Sequence, residues 1–216
     1  MKIAAVNNLN IDPQVSSIRA ISTLMNDLPV NRIDTINWPS FPYKPDVQFS
    51  IGYSGSEIYI KFFVKEEYFR AEVSEPNGNV YEDSCVEFFI SPEDDGIYYN
   101  FEFNARGICL MGSGKGRQDR IRSDISYISK IRTSGSFSGE HPGIINGRYE
   151  WELTIAIPSE VFFHNRVGTI RNSEMRANFY KCGDKVKVPH YLTWNPVNTT
   201  KPDFHRPESF GLLNFR

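Results

Sequence analysis

Two alternating runs joined by a turn stand out in the pattern of apolar and polar positions along the chain. From Tyr99 to Asn104 an extended strand puts Tyr99, Phe101 and Phe103 on one side and Asn100, Glu102 and Asn104 on the other. The preceding run, Cys85-Val86-Glu87-Phe88-Phe89-Ile90, is short, apolar and rich in β formers, and Glu87 interrupts it so as to join the polar row. Ser91-Pro92-Glu93-Asp94-Asp95-Gly96 links them with residues that cap or bend a backbone. Burying the aromatic side leaves amides and carboxylates on the opposite face. That face is a candidate surface for a polar ligand, although the solvated face of an ordinary sheet has the same pattern.

The rest of the chain reads mostly as strands. Lys2 to Leu9 predicts a short edge strand. Asp12-Pro13 reads as a helix start, and Val15, Ile18, Ile21, Leu24, Met25 and Leu28 follow at helical spacing until Pro29, a helix of about four turns. Strand patterns then cover Ile33 to Trp38, Val47 to Tyr53, Glu57 to Val64 and Tyr68 to Ser74, with Ser54-Gly55-Ser56 as a hairpin turn. In Glu57 to Val64 the residues Ile58, Ile60, Phe62 and Val64 point inward, and Glu57, Tyr59 and Lys61 outward. Ile108 to Met111, Lys130 to Phe137, Tyr149 to Ile157, Met175 to Tyr180 and Phe210 to Phe215 complete the set; Ser138 to Gly147 is a loop, and Arg120 to Ile131 fits no single pattern. About ten short strands with turn-rich connections and few helices define an all-β fold, an antiparallel, jelly-roll-like β-sandwich with a short N-terminal helical extension. Residues 1–30 form that extension and residues 31–216 the sandwich.

Composition narrows the function classes. With 40% apolar and 23% charged residues over 216 positions, the chain supports one sizeable core. A formal net charge of −2 supplies no basic field for nucleic acid or an anionic membrane, and no apolar run reaches the roughly 20 residues that span a bilayer. Cys85, Cys109 and Cys182 form no C-x-x-C pair and read as reduced, buried thiols. The first residues turn polar at Asn7, short of a signal-peptide core, so a cytoplasmic location is expected. Gly107 and Gly112 have phosphate-loop spacing, yet Ser113-Gly114 follow where that motif needs Lys and then Ser or Thr.

Five motifs in order resemble the family 9 carbohydrate-binding modules and their wider DOMON-like superfamily. They are Tyr81 to Ile90; Tyr98 to Asn104 with Gly107; Tyr149 to Pro158; Met175 to Phe179 with Asn178; and the closing pair Thr193-Trp194-Asn195-Pro196 and Phe204 to Gly211. The resemblance runs from about Asn31 to the end. It implies a β-sandwich, bacterial kin, a connection with polysaccharide degradation, and a mono- or oligosaccharide held between two aromatic rings above polar side chains. The rings fall on Tyr81 and Phe204, both tryptophan in the best-known binders, and the polar partners on Glu87, Glu102 and Asn104. Glu102 stands where an arginine is expected and reverses the local charge. The resemblance also allows structural calcium, with Asp83, Glu93, Asp94 and Asp95 as candidate oxygen ligands.

Stacking suits sugars, whose C–H faces are apolar and whose hydroxyls need in-plane donors and acceptors. The expected ligand-binding set is therefore Tyr81, Glu87, Glu102, Asn104 and Phe204, with Trp194 at a pocket rim. Tyr81 and Phe204 fit loop packing equally well. Two alternatives stay open. Glu87 and Glu102 on neighbouring strands offer paired carboxylates for glycoside processing. Haem binding, found in the superfamily, would draw on Met111, Met175 or His190. No H-E-x-x-H, G-x-S-x-G or Cys-His signature occurs, and binding without catalysis is the expectation.

Overall fold

The computed structural model describes residues 1–137, 139, 143–145 and 147–216, with backbone alone at 143–145. Much of the loop expected over Ser138 to Gly147 lies outside the described residues. In chain order the strands are β1 (Ile3–Asn8), β2 (Val30–Arg32), β3 (Thr35–Ile36), β4 (Asp46–Ser54), β5 (Glu57–Glu66), β6 (Cys85–Ser91), β7 (Tyr98–Asn104), β8 (Cys109–Gly114), β9 (Ile121–Arg122), β10 (Arg132–Gly135), β11 (Gly143–Ile145), β12 (Arg148–Pro158), β13 (Glu174–Gly183), β14 (His190–Thr193) and β15 (Gly211–Phe215). Two short helices accompany them, α1 (Ile18–Leu24) and α2 (Ile125–Ile128).

These strands build the expected β-sandwich. The first sheet runs β9-β8-β7-β6-β13-β15-β1, and the second runs β10-β12-β5-β4. One edge of β13 is divided between β15, along Glu174 to Ala177, and β14, along Tyr180 to Gly183. β1 is not an edge strand. It pairs in parallel with β15 through Ile3 to Val6, then with β4 through Asn7 and Asn8, and so stitches the two sheets together at one corner.

Between the sheets the alternating apolar residues interlock. Phe49, Phe62, Phe88, Phe101, Phe103, Trp151 and Phe179 are all fully buried there. Phe179 stacks on Phe49 with centroids 3.7 Å apart and on Phe88 at 4.9 Å, so one ring of β13 joins both sheets. At one end of this core the inner face carries charge. The Lys181 ammonium donates to the Cys182 carbonyl at 2.9 Å, lies 3.0 Å from His190 Nε2, and stands 3.0 Å from Glu66 Oε2 as an ion pair outside hydrogen-bond geometry. Trp151 Nε1 donates to Glu66 Oε1 at 2.7 Å. Burial, then the neighbouring Lys181 charge, lowers the His190 pKa to about 3, so the ring is neutral. Glu66 and Trp151 come from the second sheet, Lys181 and His190 from the first, and the cluster clamps one sheet to the other.

The N-terminal region departs from the pattern reading. The helix begins at Ile18, not near Pro13: Ser17 is the N-cap and accepts from Ala20 N at 3.2 Å, while Asp12 closes a separate turn through Gln14 N at 2.9 Å. It ends in a 3-10 turn, Met25–Asp27. Ile21 and Met25 pack on Tyr59 and Ala156, so the face of β5 expected to meet solvent is covered, and Tyr59 and Lys61 are buried. Tyr68 to Ser74 forms no strand, because side chains take the backbone groups a ladder would use: Glu72 N and Val73 N donate to Asp83 Oδ2, and Arg70 N to Ser84 Oγ.

Substituting Lys181→Met leaves the Glu66 carboxylate buried beside one fewer cation. We expect a loss of about 3–5 kcal/mol in urea unfolding. A variant within about 1 kcal/mol of the parent chain would show that the cluster is dispensable to the clamp.

Candidate functional site

The register of the first sheet sets its outer face. Glu87 on β6 lies opposite Glu102 on β7 and opposite Tyr180 on β13, and Glu102 lies opposite Leu110 on β8. One row across the sheet thus reads Tyr180, Glu87, Glu102, Leu110. The row on one side contains Cys182, Cys85 and Asn104; the row on the other contains Asn178, Phe89, Asn100, Gly112 and Arg122. Loops cover much of this face, but over Glu87 and Glu102 a cleft of about 340 Å³ stays open. That volume falls within the range of small-molecule sites.

Three walls surround this floor. Tyr81 rides on a 3-10 turn, Val80–Glu82, whose carbonyls are fixed by β13's exit: Asp184 N donates to Tyr81 O at 2.9 Å and Lys185 N to Glu82 O at 3.0 Å. Across the cleft, Phe204 sits on a loop tied down by tyrosines. Tyr180 Oη donates to Phe204 O at 3.0 Å, the Tyr180 and Phe204 rings stack at 4.2 Å, and Tyr98 Oη lies 2.9 Å from His205 Nδ1. Phe204 is only 8% exposed, so its free edge, not a whole face, reaches the cleft. The β8–β9 hairpin forms the third wall with Arg120, Ile121 and Arg122. Gly112 makes room for it: a Cβ there would stand 3.0 Å from Asn100 Oδ1 and 3.1 Å from the Ile121 carbonyl. Asp184 and Tyr191 close the remaining side.

Burial dominates the electrostatics. It pushes the Glu102 carboxyl up to about 7, against the pull of Arg120, whose Nη1 lies 3.8 Å from Glu102 Oε1, and of the Asn100 amide, which donates to that oxygen at 2.9 Å. Glu87 is raised well above the usual carboxylate range, first by burial and then by its neighbours Cys182 and Glu102. Cys182 Sγ donates to Glu87 Oε1 at 3.0 Å. Burial also raises Asp184. At neutral pH Glu102 is therefore near its midpoint and Glu87 is biased toward its protonated form, so the adjacent carboxyls can both donate to and accept from a ligand hydroxyl.

Of the residues expected from sequence, Tyr81, Glu87, Glu102 and Phe204 converge on this cleft. Asn104 shares the face but braces a turn: its amide donates to Asp83 Oδ2 and Val73 O, and its oxygen accepts from Arg106 N and Ile108 N. Trp194 lies in the core between the sheets, edge-on to Phe49 and Phe179. Asp83 is fully engaged by Arg70, Asn104 and two backbone N–H groups, and the strand β6 separates it from Asp94 and Asp95 by roughly 20 Å. The three therefore form no single coordination shell. Asp94 is exposed, while Asp95 Oδ2 and Glu93 Oε2 both accept from Asn165 Nδ2 at 3.0 Å. Met111 and Met175 lie in the core, and both nitrogens of His190 have partners.

Sequence reasoning passed over Arg120, Arg122, Asp184, Tyr191 and His205. Arg120 and Arg122 carried a usable signal. They sit two apart after a glycine-rich turn, and a hairpin pairing Gly112 with Arg122 turns both onto the outer face.

A two-sheet sandwich whose one outer face carries a roofed polar cleft is the architecture of a ligand-binding module. The family model for carbohydrate-binding family 9 matches residues 20–215, and the chain belongs to that family. It is similar to a solved structure of a candidate carbohydrate-binding protein from Bacteroides uniformis, at 38% identity over 100% of this chain and 99% of that one, with a TM-score of 0.92. It shares its fold with a family 9 module from Caldicellulosiruptor kristjanssonii solved with glucose, at 13% identity, 100% and 96% coverage and a TM-score of 0.62. The same holds for a family 9 module from that organism solved with cellotriose, at 14% identity, 100% and 94% coverage and a TM-score of 0.59. Among curated proteins, none matches the chain.

Glu102 makes a signed prediction. Its value is about 7 in the folded chain against 4.5 for the free group, so between these pH values the folded chain holds a proton that the unfolded chain has released. This contribution to stability falls as pH rises through that window and stays low above it. Glu102→Gln should match the parent near pH 4.5 and exceed it at pH 8, by at most about 3 kcal/mol in urea unfolding. A variant less stable than the parent at pH 8 would reverse the assignment.

Proposed function

We propose that the cleft binds a saccharide without transforming it. The observation that carries this is the convergence of Tyr81, Phe204, Glu87 and Glu102 on one cleft in a chain of carbohydrate-binding family 9. Tyr81 and the exposed edge of Phe204 flank the sugar's apolar C–H face. Glu87 and Glu102 beneath them exchange hydrogen bonds with its hydroxyls. Glu102 stands where an arginine is expected, and the β8–β9 turn supplies a cation beside it: Arg120 brings its guanidinium within 3.8 Å. The structures solved with glucose and cellotriose support a glucose-type unit as the first ligand to try.

The raised carboxyls bear on the alternative of glycoside hydrolysis. Retaining and inverting mechanisms both need one carboxyl held as acid and another kept ionised, in environments that push their pKa values apart. Here burial drives Glu87 and Glu102 in the same direction. That arrangement suits hydroxyl recognition, in which a carboxyl that keeps its proton donates as well as accepts.

Calorimetric titration with glucose and cellotriose, followed by a glycan array, tests the proposal. The parent chain should bind at least one sugar and leave it unhydrolysed. Tyr81→Ala should weaken binding roughly tenfold while the chain stays folded. Arg120→Ala should weaken it as well, and should move Glu102 further up. Absence of binding to every sugar tried, or equal affinity in Tyr81→Ala, would contradict this reading.

A further inference from the structure

Beneath the cleft floor lies a cluster that sugar binding does not explain. Cys85 on β6 and Cys182 on β13 are directly opposed in register, and Glu87 sits one step further along the same face. One ligand atom from each lies within 4.8 Å of the others, and Cys182 Sγ is 3.0 Å from Glu87 Oε1. All three are buried, while Cys182 and Glu87 also line the cleft. The titratable groups that flank the cluster are acids raised by burial, with arginines on the far wall of the cleft. Glu102 faces Glu87 from β7, Asp184 follows Cys182, and Arg120 leans toward Glu102. Lys181 projects from the other face of β13 into the core, where Glu66 neutralises it.

We propose that Cys85, Cys182 and Glu87 form a binding site for a thiophilic divalent cation, zinc(II) by chemical class, with its fourth position open to the cleft. Two thiolates and a carboxylate are a donor set that zinc accepts in tetrahedral geometry, and a site with three protein ligands keeps one position for water or another ligand. The geometry needs little adjustment. Tetrahedral zinc with bonds near 2.3 Å to sulfur and 2.0–2.2 Å to oxygen spaces its ligand atoms by roughly 3.5–3.8 Å, so the sulfur–oxygen contact opens by about half an ångström. A shift of that size is within the reach of rotation about the side-chain bonds of Cys182 and Glu87. On binding, both thiols and the Glu87 carboxyl release their protons to solvent, and the cation takes the three vacated lone pairs. The ion would enter through the cleft, and its open position would face a bound sugar. The site rests on the cluster itself and not on sugar binding.

Cobalt(II) is the probe. Reduced, metal-free chain titrated with Co²⁺ should take up one equivalent, with sulfur-to-cobalt charge-transfer absorption in the near ultraviolet that Zn²⁺ abolishes by displacement. Cys182→Ala and Cys85→Ala should each lose that absorption, Cys109→Ala should keep it because Cys109 lies on the inner face, and Glu87→Gln should bind at least tenfold more weakly. Failure of the folded, reduced parent chain to develop the band with Co²⁺ in tenfold excess would overturn the proposal, and this outcome needs no variant. A band that persists in both cysteine variants would overturn it too. Metal uptake by the parent chain is read independently of any sugar, so it stands or falls apart from the saccharide reading.

Discussion

The register of β6 on β7 is the constraint on which the molecule turns. With Phe88 opposite Phe101 and Glu87 opposite Glu102, one face of the pair is apolar and largely aromatic and the other holds the carboxyls. A slip of β6 by one residue would drive Glu87 between the sheets and put Phe88 over the cleft, exchanging core and floor along that strand in one step. The aromatic face is large, and its loss to solvent would far outweigh any gain at the other face. Core packing therefore places the binding chemistry: the carboxyls stand where they do because the rings behind them can face only inward.

The cost of that placement is visible in the charges. Burying two neighbouring carboxyls raises both, and the sheet tolerates them because its other attachments are strong. β13 is the centre of those attachments. Phe179 stacks on both sheets, Lys181 reaches Glu66 across the core, and on the opposite face Tyr180 holds the Phe204 loop by ring and hydroxyl together. One strand thus carries the inter-sheet clamp on its inner face and supports the cleft wall on its outer face. The walls are loops, but each is fixed to the sheet by hydrogen bonds from named groups, which gives the cleft a defined shape before any ligand arrives.

Much of this was legible in the sequence where a period of two was clean. Tyr99 to Asn104, Glu57 to Val64 and Tyr149 to Ile157 largely alternate, and each is a strand with the expected inward face. Tyr81, Glu87, Glu102 and Phe204 were reachable through family motifs. Asn104 and Trp194 illustrate what a motif leaves out: each has the right residue type, but whether it serves a ligand or the fold depends on partners far along the chain, such as Asp83 for Asn104 and Phe49 for Trp194. The segment Tyr68 to Ser74 has a strand's composition, yet Asp83 and Ser84 claim its backbone donors, and no local pattern announces that competition. Arg120 was hidden for a related reason. It meets Glu102 only because a two-residue strand folds back over Gly112, and strands that short have almost no periodicity to read.

The most direct test of the account is a crystal structure of the chain with a bound saccharide, beginning with glucose and cellotriose. The account predicts a sugar ring over Glu87 and Glu102, flanked by Tyr81 and the edge of Phe204, with its hydroxyls bonded to the carboxyls and Arg120. A sugar bound on another face of the sandwich, with this cleft holding only solvent, would contradict it.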